Sequence, residues 1–346
     1  MPIIKIIHKK EKNNTMKQFI LFFIFLSLIS CLMAFTGISW LFIYAHTPAG
    51  QYQEKRIHIQ PGDNFQQLTY QLNHAKLIKK PMSFRLLGRI TGVDTRIQAG
   101  EYVLNAAMTP FSVIDMLIQG KVALYKVVIP EGYSIIQIAD TLHQLGIVSK
   151  TVFIDAATNP SFVRKFGLDA TTFEGYLFPD TYYFPKAVSS EKVITTMVNR
   201  FSNILTEKWI LRTKELNFSI HEIITLASII EKETGKAEER QLISSVFHNR
   251  LKKNMRLESD PTVIYGISDF DGNITKVHLK TKTEYNTYTI KGLPPGPIAN
   301  PGAKAIEAAL YPSDTNYLYF VAKNDGTHQF SEKFKDHNSA VQKYQK

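Results

Sequence analysis

From Phe19 to Ala45 the chain carries no charged side chain and is dominated by Phe, Leu and Ile, a run longer than the ~20 residues that cross a hydrocarbon core. Beyond it, apolar positions recur at intervals. Ile57-His-Ile-Gln-Pro-Gly62 alternates as a strand does and ends in a turn; Phe65, Leu68 and Leu72 then follow the helical spacing, and Leu77-Ile78 closes the unit. The pattern returns 70 residues later as Lys126-Val-Val-Ile-Pro-Glu-Gly132, then Ile135, Ile138 and Leu142, then Ile147-Val148. Such an echo predicts one small strand, turn and helix module used twice. Between the copies, Ala99-Gly-Glu-Tyr-Val-Leu104 reads as a strand and Pro110 to Gly120 as a capped helix.

From Thr171 aromatic and Pro-rich loops alternate with strong helices, and the second domain is placed there. Phe173-Glu-Gly-Tyr-Leu-Phe-Pro-Asp-Thr-Tyr182 is a dense aromatic loop with two carboxylates, Glu174 and Asp180. Its rings suit stacking on sugar faces, or equally a plug between packed elements. Phe218-Ser-Ile-His-Glu222 is a helix start with a capping box, and Ile223-Ile-Thr-Leu-Ala-Ser-Ile-Ile230 is apolar on nearly every side, which predicts a buried helix. That helix reaches Glu231-Lys-Glu-Thr-Gly235, where Gly235 is a natural stop. The two glutamates stand about 200° apart around the helix and cannot face each other as a pair. Glu233 continues the row of Leu226, Ile229 and Ile230, where desolvation and the negative end of the helix dipole favour a protonated acid. Helix logic alone also allows both glutamates to be solvated beside Lys232 and Lys236. Ala237 to Lys253 then reads as an amphipathic helix.

Charge adds topology. Lys5, Lys9, Lys10, Lys12 and Lys17 precede the apolar run against Glu11 alone, and the next charge after it is Glu54, so the N-terminus is expected in the cytoplasm and the rest outside. A cleaved signal peptide is the rival, disfavoured by the length of the run and the lack of a clean A-x-A site. Of the formal net charge of +11, residues 19–346 keep +7 once the tail's five lysines and one glutamate are set aside. Export disfavours a nucleic-acid partner. The single cysteine, Cys31, lies in the apolar run, so the exported part has no internal disulfide or thiolate metal site, and the ten histidines form no ligand-spaced cluster. No metal and no cofactor is expected.

The remaining motifs are Ser259-Asp-Pro-Thr-Val-Ile-Tyr-Gly266, Tyr285-Asn-Thr-Tyr288 and Gly292-Leu-Pro-Pro-Gly-Pro-Ile-Ala-Asn-Pro-Gly302, rigid loops rich in rings and amides. Together with Ile230-Glu-Lys-Glu-Thr234 and the loop 173–182, in this order, they make the chain resemble the MltG (YceG-like) endolytic murein transglycosylases from the apolar run to near the C-terminus. The resemblance implies an α+β fold and a lyase-type lytic transglycosylase that cleaves the MurNAc-β-1,4-GlcNAc bond of nascent peptidoglycan strands to leave 1,6-anhydro-MurNAc ends, terminating elongation.

It also selects Glu233 over Glu231 as the catalytic acid. Tyr285, Asn286 and Tyr288 are the candidates for holding the sugar, with Glu174 supporting the site. The expected organisation is a cytoplasmic tail over 1–18, a transmembrane helix over 19–45, a linker over 46–55, repeated α+β modules over 56–170 that resemble glycan-binding LysM units or equally serve as plain α+β spacers, and a catalytic domain over 171–346. The implied setting is a bacterial cytoplasmic (inner) membrane, single-pass, with the enzyme on the periplasmic face, and with glycan strands and peptidoglycan synthases as partners. Two other readings stand beside it. A muramidase-type hydrolase needs a second carboxylate near Glu233, from Glu174, Asp180 or Asp260, and a non-catalytic glycan-binding anchor needs no acid.

Overall fold

A computed structural model describes residues 3–267 and 270–345. Its first helix, α1 (Ile3–Ala45), contains the uninterrupted apolar run, and the stretch Met16–Ala45 is long and apolar enough to cross a membrane, with a mean hydropathy of 2.6 over an 18-residue window. The chain divides into two units, residues 1–123 and 124–346, each around its own apolar core.

In the first unit, β1 (Glu54–Ile59) pairs antiparallel with β2 (Gly100–Asn105), and α2 (Phe65–His74) and α3 (Pro81–Thr91) intervene in sequence, with α4 (Pro110–Gln119) following. Strand alternation turns Ile57, Ile59, Tyr102 and Leu104 inward, into one core with Leu68, Leu72, Phe84 and Leu117. Gly88 in α3 admits the Phe65 ring, since a Cβ there would fall 2.0 Å from the ring carbon Cε1.

The end of α1 belongs to this core. Tyr44 and Ala45 are buried in it, Leu41 packs alongside, and Tyr44 Oη donates to Lys80 O at 3.1 Å. In the expected linker over 46–55 most residues are exposed, but Ala49 is buried, Gly50 N donates to Ala106 O at 2.8 Å, and β1 already begins at Glu54.

In the second unit, β3 (Tyr125–Val128) precedes α5 (Ile135–Gln144), α6 (Lys150–Ala157) and α7 (Pro160–Arg164), and pairs antiparallel with β4 (Thr181–Phe184). The 70-residue echo is therefore visible in the backbone. Gly62 and Gly132 hold matching turns at φ +94° and +75°, and the helices behind them open on capping boxes, Asn64 with Gln67 and Ser134 with Gln137. The expected division after residue 170 does not hold. β4 lies beyond it, and Val127, Ile138, Leu142 and Phe153 share one core with Phe173, Ile224 and Ile306, so the second copy is built into the unit that starts at Leu124.

Next come α8 (Ser190–Ile204), α9 (Glu207–Glu215) and α10 (Ile220–Glu233), then α11 (Arg240–Lys252), α12 (Asp260–Tyr265), α13 (Lys276–Lys280) and α14 (Ala303–Leu310). The hairpin of β5 (Tyr319–Ala322) with β6 (His328–Ser331) and α15 (Phe334–Tyr344) complete the unit. Helix α10 is its axle. Residues Ile223 through Ile230 are all buried, and each large aliphatic side chain among them contributes ~1.5–3 kcal/mol of burial. It packs on α9, α11, α12 and α14, where Ala305, Ala308 and Ala309 present small, buried side chains.

The aromatic loop is a plug. Phe173, Tyr176, Phe178 and Tyr182 are buried, and Phe173 meets Phe162 and Phe166 edge to face at 5.3 and 5.4 Å, so these rings are spent on the core rather than offered to a sugar.

Candidate active site

Helix α10 starts as its sequence dictates. Ser219 Oγ accepts from Glu222 N at 3.1 Å, and Glu222 Oε2 accepts from Ser219 N at 2.7 Å. It ends without the expected glycine stop. Thr234 turns extended at φ −146°, and Gly235 is not left-handed, which leaves Glu233 as the last helical residue among the free carbonyls of the final turn.

The two glutamates diverge, as the 3.6-residue period requires. Glu231 accepts from Gly302 N at 2.9 Å, at the start of α14, and pairs with Arg240 at 3.3 Å. Burial raises its pKa against those two partners. Glu231 is a clip between helices. Glu233 turns instead to the segment before α12, where Ser259 Oγ donates to its Oε1. Burial, helped by the neighbouring Asp260 charge, pushes the Glu233 carboxyl up to about 7, against the Ser259 hydrogen bond and the Arg250 cation. A carboxyl poised there can give a proton and take it back at neutral pH.

The segment that meets Glu233 is braced from several sides. Arg250 is buried and donates to Arg256 O at 3.1 Å, Leu257 O at 2.9 Å and Leu318 O at 2.7 Å, and it pairs with Glu258 at 3.0 Å. Thr287 Oγ1 accepts from Ser259 N at 3.0 Å and lies 2.8 Å from Thr262 Oγ1. Tyr288 Oη donates to Asp260 Oδ1 at 2.7 Å. Within the motif Tyr285-Asn-Thr-Tyr288, Thr287 and Tyr288 thus hold Ser259 and Asp260 beside Glu233.

Asn286, expected at the sugar, faces inward. It is 1% exposed, its Nδ2 donates to His278 O, Leu279 O and Thr281 O at 3.2, 3.2 and 2.6 Å, and its Oδ1 accepts from Tyr288 N at 2.9 Å. All its polar atoms are used in shaping the turn that presents Thr287 and Tyr288.

Glu174 is also internal. At 4% exposure it accepts from Ile135 N at 3.1 Å, Asn300 Nδ2 at 2.9 Å and Tyr265 Oη at 3.3 Å, and burial pushes its pKa up to about 7. With Tyr285 and His221 it lines a cleft of about 610 Å³. Tyr285 is half-buried against Tyr265, ring centroids 4.7 Å apart, and keeps an open edge on that cleft. Helix α12 connects the two places. Its N-terminal end carries Asp260 near Glu233, and its last residue, Tyr265, touches Glu174 and Tyr285.

Four contributors escaped the sequence reading. Ser259 looks like a helix cap ahead of Asp-Pro, yet its hydroxyl goes to Glu233. Thr287 stands unremarked between two residues with evident sugar-binding chemistry. Arg250 ends a plain amphipathic pattern, and only its burial reveals the brace. Asn300 is a hub, with Oδ1 accepting from Leu177 N at 2.8 Å and Nδ2 donating to Tyr133 O and Glu174 Oε1, both at 2.9 Å; its place in an Asn-Pro-Gly turn was the available signal.

Residues 57–343 match the model of the YceG-like family. The chain belongs to the YceG-like family. Its relatives include an endolytic murein transglycosylase of Bacillus subtilis, 34% identical over 83% of this chain and 84% of that protein. Another of the same description, from Streptococcus pneumoniae, is 29% identical over 82% of this chain and 57% of that protein. A crystal structure of a YceG-like protein from Listeria monocytogenes aligns with a TM-score of 0.58 at 33% identity, covering 84% of this chain and all of that one. YceG-like membership accounts for the motifs being ordered along nearly the whole chain.

Proposed function

We propose that the chain is an endolytic murein transglycosylase, a lyase that cuts peptidoglycan glycan strands at the MurNAc-β-1,4-GlcNAc bond, with Glu233 as its acid and base. The observation that carries this reading is the Glu233 carboxyl itself, half-buried at a helix end and raised to about 7. In the first half-reaction Glu233 gives its proton to the glycosidic oxygen as the C1–O bond breaks. In the second, the carboxylate takes the proton of the muramic acid's C6 hydroxyl as that oxygen bonds to C1. The product is a 1,6-anhydro end, no water is consumed, and Glu233 is returned in its starting form.

Asp260, beside Glu233, places a negative charge where a glycosyl cation develops, and Tyr288 fixes that carboxylate. Tyr285 is the ring best placed to meet a sugar in the cleft, with Glu174 as the strut behind it. The anchor is α1, with the N-terminus in the cytoplasm and the enzyme on the outer, periplasmic face of the inner membrane. The strand, helix, helix, strand unit of residues 54–105 serves as a LysM-like glycan guide, and peptidoglycan synthases are the partners that supply nascent strands.

Digestion of purified glycan strands followed by mass spectrometry tests the chemistry. Anhydro ends from the wild type and none from Glu233→Gln support it; reducing ends would make the protein a muramidase-type hydrolase, no new ends from the wild type would leave a glycan-binding anchor, and full activity of the variant would move the acid to another residue. A reporter fused after Lys346 should be active only outside the cytoplasm.

A further inference from the structure

At its far end α1 runs directly into the first unit. Trp40 and Tyr44 stack with centroids 6.3 Å apart, Lys80 Nζ lies 5.0 Å from the centre of the Trp40 ring, and Tyr44 Oη is bonded to Lys80 O. Lys80 is the residue that immediately precedes α3, so α3 begins where α1 ends. A cavity of about 200 Å³ at this junction is lined by Trp40, Ile43 and Tyr44 on one side and by Lys79 and Lys80 on the other.

The inner face of α3, Ser83, Phe84, Leu87 and Gly88, is buried. Its outer face is not the polar surface of an ordinary solvated helix. Met82, Leu86 and Ile90, at successive four-residue steps, are 85, 47 and 66% exposed, and Arg85 and Arg89 run beside them. From residue 64 to residue 93 the sequence has five bases, Lys76, Lys79, Lys80, Arg85 and Arg89, and no acid. Phe111, also exposed, stacks 5.8 Å from His46 just past the end of α1 and adds a ring to the same junction.

We propose that α3 is a second membrane contact, lying in the headgroup layer of an anionic leaflet beside the point where α1 emerges. Met82, Leu86 and Ile90 enter the acyl boundary, and Lys79, Lys80, Arg85 and Arg89 meet lipid phosphates. The proposal rests on the reading of α1 as the membrane anchor. Three observations select a bilayer as the occupant of this face. An apolar stripe flanked by bases is the pattern of an interfacial helix. The absence of acids over 64–93 matches an anionic surface, and the stripe starts two residues after Lys80, which is bonded to the foot of the spanning helix. The consequence is mechanical, for a first unit held at two points does not swing freely about α1.

The test uses the full chain with Cys31→Ser and Leu86→Cys, labelled at the new thiol with an environment-sensitive nitrobenzoxadiazole dye. It is reconstituted into nanodiscs of phosphatidylcholine with or without phosphatidylglycerol. In anionic discs the emission should move to shorter wavelength and be quenched by bromine-bearing acyl chains. Arg85→Glu with Arg89→Glu should lower the ratio of docked to undocked molecules by about fivefold or more per base, and added salt should lower it too. Solvent-like emission without bromine quenching in anionic discs overturns the proposal. A shift to shorter wavelength without bromine quenching also overturns it, by showing that protein covers the face. A chain that fails to enter discs at all refutes the anchor reading and this one with it, whereas a chain that inserts with its label in water refutes only the docking.

Discussion

Replacing Glu233 by Gln should do two opposite things. The amide keeps the shape and still accepts from Ser259, but it neither gives nor retrieves a proton, and general acid and base assistance is worth ~10²–10⁴ in rate. Strand cleavage should therefore vanish from ordinary assays. Stability should move the other way, and only at higher pH. The wild-type carboxyl rises from 4.5 in the open chain to about 7 in the fold, so the folded state holds its proton more tightly than the unfolded one. That contribution is fully present below pH 4.5 and is lost as pH rises through 7. The loss is about 1.4 kcal/mol for each pH unit between those two values, or ~3 kcal/mol in all. Gln has no charge to bury. At pH 5 the variant and wild type should melt almost together, and at pH 8 the variant should be the more stable by ~2–3 kcal/mol, several degrees for a unit of this size. Full-length protein in one detergent, followed by calorimetry across pH 5 to 8, measures this. A Glu233→Gln protein that melts no higher than wild type at pH 8 would refute the half-buried, proton-retaining acid, even if its activity were lost.

Glu231→Gln should retain most activity per folded molecule, because its side chain joins α10 to α14 and Arg240 rather than to Ser259, but should lower stability by ~1–3 kcal/mol in thermal melts. Asn286→Ala removes four hydrogen bonds that shape one turn and should cost ~2–4 kcal/mol, with loss of activity that tracks unfolding, whereas Tyr288→Phe should leave melting nearly unchanged and lower the cleavage rate by freeing Asp260. A chain trimmed to start at Leu41 should stay folded in its first unit, while one trimmed after Ala45 should lose several degrees in that unit's transition, because Tyr44 and Ala45 are buried in its core; near-ultraviolet circular dichroism of the pair decides.

Periodicity made the elements legible. The capping boxes at Ser219 and Ser134, the buried run Ile223 to Ile230 and the 70-residue echo are local patterns, and local patterns survive folding. What the sequence concealed is pairing at a distance. Nothing near residue 127 announces that β3 waits for Thr181–Phe184, so local pattern alone puts the module boundary about fifty residues too late. The same blindness governs polar side chains. Asn286 and Glu174 have the chemistry to hold a sugar, and only their burial and partners reveal the hydrogen bonds they make within the protein. Ser259, Thr287 and Arg250 carry no signature at all until three separate segments meet.

The distribution of carboxylates bears on which glycosidic chemistry this site favours. A hydrolase with two working acids pulls their pKa values apart, one held protonated and one ionised, on opposite sides of the bond. Of the candidates for a second acid, Glu174 is enclosed by its own donors and Asp180 is tied to Arg200 at 2.6 Å. Asp260 remains, next to Glu233 and held by Tyr288, and its field is among the causes that raise Glu233. One group that must donate in the first step and accept in the second works best when neither direction is uphill, which places its pKa near the ambient pH rather than far to either side. Glu233 at about 7 meets that condition by burial at the end of α10. A second carboxylate, Asp260, beside a proton-holding Glu233 is also what a two-carboxylate hydrolase needs, so the ends left on the strand, anhydro or reducing, decide between attack by the sugar's own hydroxyl and attack by water.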